Sequence, residues 1–245
     1  GISSSAAEFD LNISAFISYS GALINPRHDM GECNIFSLPD FNDFDGAILL
    51  TNTVGYQSVV TDILSRIKEA GIPAVSIDND IPYLYYIGID NKHAMRSITE
   101  HLIERHGFSR FAYVSGPDDN PESSARLSGF LEVLREHNIT ISDGYIYHGD
   151  FRAPSGRAAA ESFLANPNGL PQAVICANDV MAAAVINRFG DEGLSVPDDI
   201  AVTGFDNTYS NHNYQVELTS VGRPLSLSGR LACKMLYNHF NGIAQ

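Results

Sequence analysis

The sequence is poor in cysteine, poor in positive charge and without a long apolar run, and each shortage closes off a class of protein. Its three cysteines, Cys33, Cys176 and Cys233, lie far apart and form no CxxC pair. Neither a zinc ribbon nor a disulfide framework is indicated, and free thiols in a reducing cytosol are the expectation. Lysine and arginine number 15 against 29 acidic residues, a net charge of −14, and no basic stripe interrupts that balance. A surface of this sign repels phosphate backbones, so any reading of nucleic acid belongs to a segment outside these residues. No stretch approaches the roughly 20 apolar residues that a bilayer-spanning helix needs. The opening Gly1-Ile2-Ser3-Ser4-Ser5 has neither the basic nor the apolar region of a signal peptide.

Catalytic signatures are also missing. There is no GxSxG elbow, no GxxxxGK[ST], no GxGxxG after a strand and no HExxH. His101 and His106 stand five apart, an interval read as wrong for a zinc pair on one helix face. His28, His212 and His239 are isolated and expected on the surface. The residues therefore point to no enzyme, no metal site and no cofactor.

What is present is ordinary globular material, 44% hydrophobic with 20 glycines and 11 prolines, too apolar throughout to be disordered. Short apolar runs at 13–18, 46–50, 74–77, 86–89, 111–115, 145–148, 173–176 and 201–204 read as strands. Longer amphipathic segments at 57–70, 92–106, 121–137, 155–166, 179–192 and 225–241 read as helices. Asn120 before Pro121 reads as a helix cap followed by proline at the first helical position, and Gly193 marks a helix end. Alternation on this scale predicts an α/β fold, with doubly wound parallel sheets. Two lobes fit better than one: 1–89 plus 223–245, and 90–222, with hinge crossovers near 89–91 and 220–223. The last helix has no strand of its own nearby and is expected to return to the first lobe.

Several strands run directly into a polar residue: Asp78, Ser115, Asn178 and Asp206. In open parallel sheets the carboxyl ends share one edge, where ligands bind. Two lobes with those edges facing each other would enclose a cleft lined by Asp78 on one side and by Asn178 and Asp206 on the other. Each residue also has an ordinary reading. Asn178 and Asp179 stand where a helix cap belongs, Asp206 before Asn207-Thr208 is placed to cap a turn, and Arg126 would by default be a surface arginine.

A series of motifs adds to this. It includes Gly71-Ile72-Pro73-Ala74-Val75-Ser76-Ile77-Asp78, Gly88-Ile89-Asp90-Asn91, Gly116-Pro117, Ser124-Ala125-Arg126-Leu127-Ser128-Gly129-Phe130 and Gly149-Asp150-Phe151. Ala177-Asn178-Asp179-Val180-Met181-Ala182, Val196-Pro197-Asp198-Asp199-Ile200 through Phe205-Asp206, and Leu218-Thr219-Ser220-Val221 complete it. In this order and spacing the chain from Phe44 onward resembles the effector-binding region of the lac-repressor (LacI/GalR) family of bacterial transcriptional regulators, a type I periplasmic-binding-protein-like fold. The resemblance implies that Asp78, Arg126, Asn178 and Asp206 hydrogen-bond a small effector, that Phe151 stacks on it, and that Phe205 helps line the pocket. Carboxylates accepting from vicinal hydroxyls, a forked guanidinium and an aromatic face suit a sugar-like ligand; a purine suits the same kit. Further implications are a cytoplasmic homodimer and operator DNA read only through a headpiece outside this chain. A periplasmic sugar-binding protein of a transporter, or the sensor half of another signalling protein, are the alternatives.

Three departures accompany the resemblance. Residues 1–10 read as the family's first helix with no strand before it, so the chain is expected to be trimmed at its start. Residues 21–42 read as irregular where the family has a regular helix, and the chain stops at Gln245 where relatives run on. Arg126→Ala is expected to cost ligand binding while leaving the fold intact.

Overall fold

A computed structural model describes residues 1–19, 26–208 and 217–244. The chain divides into two compact units, Gly1–Ile89 with Pro224–Gln245, and Asp90–Arg223. The first opens with α1 (Ile2–Glu8) and α2 (Pro26–Glu32), followed by short 3-10 turns. β1 (Ala47–Leu49), α3 (Gln57–Ala70), β2 (Ala74–Ile77) and β3 (Tyr85–Ile87) come next. The strands form a parallel sheet in the order β1-β2-β3, with Ala47 opposite Ala74 and Val75 opposite Tyr85.

Alternate residues of a strand point to opposite faces, and β2 shows the consequence. Ala74 packs with Ile63 and Ile67 of α3. Val75 and Ile77 pack on the opposite side with Ala232 and Leu236 of the C-terminal helix. Helices thus cover both faces of this small sheet.

Two expectations change in this unit. Residues 13–18 carry a strand-like pattern, yet the stretch lies outside every sheet; Phe16 meets Phe44 edge-on with centroids 6.2 Å apart, and Ile17 is 64% exposed. Apolar alternation specifies extended backbone, but a strand also needs a neighbour to take its N–H and C=O groups. The region 21–42 is not wholly irregular, since α2 occupies Pro26–Glu32; residues 20–25 lie outside the described residues.

The second unit runs through α4 (Asn91–His106), β4 (Phe111–Ser115), α5 (Pro121–Glu136), β5 (Ile146–His148) and α6 (Ala153–Leu164). It continues with β6 (Ala173–Cys176), α7 (Asp179–Asp191), β7 (Ala201–Asp206) and β8 (Thr219–Gly222). Its five strands are all parallel, in the order β5-β4-β6-β7-β8. β4 and β6 are buried at every residue, which is why both read as near-continuous apolar runs. Tyr113 stacks on Phe130 of α5 with centroids 4.8 Å apart, and Phe111 meets the same ring edge-on at 6.3 Å.

β8 is missing from the strands read in the sequence, which place a hinge crossover near 220–223. Thr219-Ser220-Val221-Gly222 has a single large apolar residue and is only partly buried, so it carries no apolar period; its pairing with β7 makes it a strand. After it, α8 (Leu225–Phe240) returns to the first unit and packs on α1 and β2.

Candidate functional site

Because every described strand of the second unit is parallel, their carboxyl ends share one edge, and α5 after β4, the segments leaving β5 and β6, and the end of β7 bring five of the six sequence-selected residues to it. Arg126 is the centre. Asn120 Oδ1 accepts the Ser123 N–H at 3.0 Å and Pro121 opens α5, so the helix starts where the sequence marks it. One turn on, Glu122 and Arg126 stand four apart on the same helix face, 3.7 Å between Oε1 and Nη2.

Arg126 is not a surface arginine. It is 2% exposed, with its guanidinium carbon 3.8 Å from the Phe205 ring centroid and 5.9 Å from that of Phe151. Its Nε donates to Asn91 Oδ1 at 2.8 Å and its Nη1 to the Ala177 carbonyl at 2.6 Å. Nη2 lies 3.7 Å from Asp206 Oδ1 as well as from Glu122. Burial pulls the guanidinium pKa down, and the Asp206 and Glu122 carboxylates oppose that pull. Arg223, at the end of β8, closes the arrangement: Nη1 is 3.4 Å from Asp206 Oδ1 and Nη2 is 3.6 Å from Glu122 Oε1.

The aromatic pair divides the work. Phe205 has no exposed surface and acts as a platform beneath Arg126. Phe151 is partly exposed, with φ +65°. Its carbonyl accepts from Asn178 Nδ2 at 2.9 Å. Gly116 makes room for its ring, since a Cβ there would sit 2.2 Å from Phe151 Cζ.

The ordinary readings of Asn178 and Asp206 separate here. Asn178 does cap α7, its Oδ1 accepting from the Met181 N–H at 2.9 Å, while its amide nitrogen holds Phe151. Among the described residues Asp206 caps no N–H of the turn after β7. The Asn207 N–H goes to Ser220 Oγ at 3.0 Å and the Thr208 N–H to Asp179 Oδ2 at 2.7 Å, leaving Asp206 to the arginines. Asp206 has φ +96°, so its carboxylate is held by a backbone conformation that most side chains avoid.

Asp179 is the structural member that sequence reasoning treated only as a capping alternative. It is 1% exposed and takes Ser220 Oγ at 2.5 Å as well as Thr208, tying α7 to β7 and β8. Gly204 permits this approach, because a Cβ there would lie 2.2 Å from Asp179 Oδ1. Glu122, Asn91 and Arg223 were missed altogether. The (i, i+4) spacing of Glu122 and Arg126 was the one available signal; Asn91 and Arg223 reach the cluster only through tertiary folding.

Asp78 belongs to the first unit, directly after β2. Its φ is +63°, its N–H donates to the Ile87 carbonyl at 2.7 Å and its carbonyl accepts from Asn52 Nδ2. Three sequence-selected residues, Asp78, Phe151 and Asp206, are thus among the seven non-glycine positions with positive φ in the described residues.

The histidine reading needs correction. His101 and His106 meet with Nε2 atoms 3.3 Å apart, because His106 is the last residue of α4 and its ring turns back. His239 is exposed but contacts Tyr85 Oη through Nδ1 at 3.0 Å; His28 is exposed beside Glu32, and His212 lies outside the described residues. All three cysteines are buried, and burial pushes the Cys176 thiol pKa up. Among the described residues no group of three or more His, Cys, Asp or Glu is placed to hold a metal ion.

Two parallel-sheet units with polar side chains gathered at strand tips define an α/β ligand-binding fold. Residues 99–245 match the periplasmic binding protein-like domain family, and this chain belongs to it, in the form carried by LacI-type transcriptional regulators. Catabolite control protein A of Priestia megaterium is 32% identical over 222 residues, covering 84% of this chain and 65% of that protein. A LacI-family regulatory protein from Chloroflexus aggregans is 26% identical with a TM-score of 0.78, covering 99% of this chain and 83% of that one. The transcriptional regulator CelR in complex with cellobiose is 27% identical with a TM-score of 0.73, covering 89% and 66%. Other relatives are the probable HTH-type transcriptional repressor ExuR of Bacillus subtilis and the HTH-type transcriptional repressor CytR of Escherichia coli. The chain spans less than two thirds of the length of these curated relatives.

Proposed function

We propose that this chain is the ligand-sensing part of a LacI-type transcriptional regulator, and that a sugar-like effector binds at the Arg126 cluster. The observation that carries the reading is the cluster itself: five residues chosen from the sequence converge on one strand-tip edge in a family of ligand-binding folds. Phe151 offers a partly exposed ring for the apolar face of a pyranose, and Asp206 and Glu122 offer acceptors for hydroxyls. Asp78, at the tip of β2, is proposed as an effector-contacting acceptor in its own unit. The likeness to a regulator solved with cellobiose supports a saccharide.

In this reading the protein works as a homodimer in the cytoplasm, and the effector biases the placement of DNA-reading headpieces carried outside these residues. No helix among the described residues is long and apolar enough to cross a membrane. The relatives' role as repressors favours regulation over solute transport.

A thermal-shift screen followed by calorimetry tests the proposal. A saccharide that binds only the folded chain raises the melting temperature by mass action, about 2.7 kcal/mol of stabilisation at a hundredfold excess over Kd. That shift should vanish in Phe151→Ala. Saccharide binding that Phe151→Ala leaves untouched would place the site elsewhere.

A further inference from the structure

α4 leads directly into β4, so its last turn stands at the edge where β4 begins, away from the strand tips that carry Arg126. Two of the chain's eight histidines meet there, and helix spacing does not bring them together. Positions five apart point about 140° away from each other around a helix. His101 and His106 meet because α4 closes in a tight end. Gly107, at φ +68°, donates its N–H to the Ile103 carbonyl at 2.9 Å, and Phe108 donates to the Leu102 carbonyl at 3.3 Å. Phe108 is thereby returned to stack on the His106 ring, with centroids 5.4 Å and planes 24° apart. Both histidines remain exposed.

The separation of the two rings is the informative quantity. Their Nε2 atoms stand 3.3 Å apart. Zinc binds imidazole nitrogen at about 2.0–2.1 Å, and two such bonds at a tetrahedral angle put the nitrogens about 3.3–3.4 Å apart. Adjacent corners of a square-planar ion would bring them to about 2.8–3.0 Å. The ring planes cross at 74° with centroids 5.0 Å apart, so the imidazoles meet at an angle and not end to end. Without an ion, the contact holds one proton between the nitrogens, and one ring carries it on Nε2. An ion takes both lone pairs while that proton passes to Nδ1 of the same ring, leaving both imidazoles neutral. The surroundings tolerate a cation. A helix C-terminus carries partial negative charge, the neighbouring Glu104 and Arg105 offset each other, and the chain's net charge is −14. The cap and the Phe108 stack order His106 in advance, so less ordering is left to oppose binding.

We propose that His101 and His106 form a surface site for a tetrahedral zinc-class cation, bound through both Nε2 atoms with water in its remaining positions. Two protein ligands are fewer than a structural zinc site uses, so the site exchanges its ion and follows the free zinc concentration. The bound ion staples the end of α4 across its own cap. The site shares no residue with the Arg126 cluster and does not rest on the effector reading.

Calorimetric titration of the tag-free protein with zinc chloride tests this, with His101→Ala and His106→Ala as variants. Both residues are exposed, so neither change empties a core position. The unaltered protein is expected to bind one zinc at this site, with affinity falling about tenfold or more in each variant, since even an outer partner of a metal ligand is worth that much. His137→Ala, at the exposed end of α5, should bind zinc as the unaltered protein does. In long-range proton–nitrogen spectra one equivalent of zinc should move the Nε2 resonances of His101 and His106 together. Absence of zinc binding, affinity unchanged in both variants, dependence on only one of the two histidines, or an equal loss in His137→Ala overturns the proposal.

Discussion

At Arg126 a single side chain is asked to satisfy two carboxylates, a carboxamide and a main-chain carbonyl while sealed between two rings. Its removal therefore reaches beyond ligand binding. Arg126→Ala would leave Glu122 and Asp206 short of a counter-charge and the Ala177 carbonyl short of a donor. Breaking a buried pair from one side costs about 3–5 kcal/mol, so urea unfolding should show a loss of that order, together with loss of saccharide binding. The sequence-based expectation of an intact fold fails on burial. A loss under about 1 kcal/mol would mean that the arginine is solvated rather than sealed. Gly116→Ala makes a finer probe. The added methyl collides with the Phe151 ring, so the ring must move, and saccharide affinity should fall while stability drops by only about 1–3 kcal/mol.

Among elements, α7 shows how one short sequence serves two ends. Asn178 caps the helix and holds Phe151, and Asp179 fastens β8 to β7. Asn178→Asp keeps an oxygen for the Met181 N–H but turns a carboxylate oxygen toward the Phe151 carbonyl. It should retain the cap, worth about 1 kcal/mol, and still weaken the ligand, whereas Asn178→Ala loses both. Equal binding by wild type and Asn178→Asp would show that the Phe151 clamp is idle. Asp179→Ala removes the acceptor of Thr208 and Ser220, so hydrogen exchange at the Thr208 amide should accelerate well before global unfolding. These elements also show what a sequence can disclose. β4 and β6 were readable because a strand buried on both faces must be apolar throughout, and α5 because Asn120-Pro121 marks its start. β8 was not, because an edge strand of Thr-Ser-Val-Gly owes its existence to the Gly204–Ser220 pairing. Residues 13–18 were misread for the converse reason: the pattern was there and the partner was not.

At the scale of the molecule, the acidic surface and the two-unit division bear on how the domain is used. With a net charge of −14, these 245 residues should bind duplex DNA no better than a non-binding control in fluorescence anisotropy at about 150 mM salt. Appreciable affinity would place a DNA-reading surface within this chain and revise the proposed division of labour.

Composition and periodicity alone determined that the chain alternates strand and helix, that its sheets are parallel, and that Asp78, Asn178 and Asp206 stand at strand ends. Those features follow from local rules: side-chain period, capping chemistry and the direction of a parallel strand. Only the tertiary structure decided that Arg126 is buried, that Phe205 is its platform, and that Glu122, Asn91 and Arg223 surround it. Helix periodicity says which residues share a face but not what that face meets. Burial and ion pairing depend on residues brought together from α4, α5, β7 and β8, distant in sequence and adjacent only in the fold.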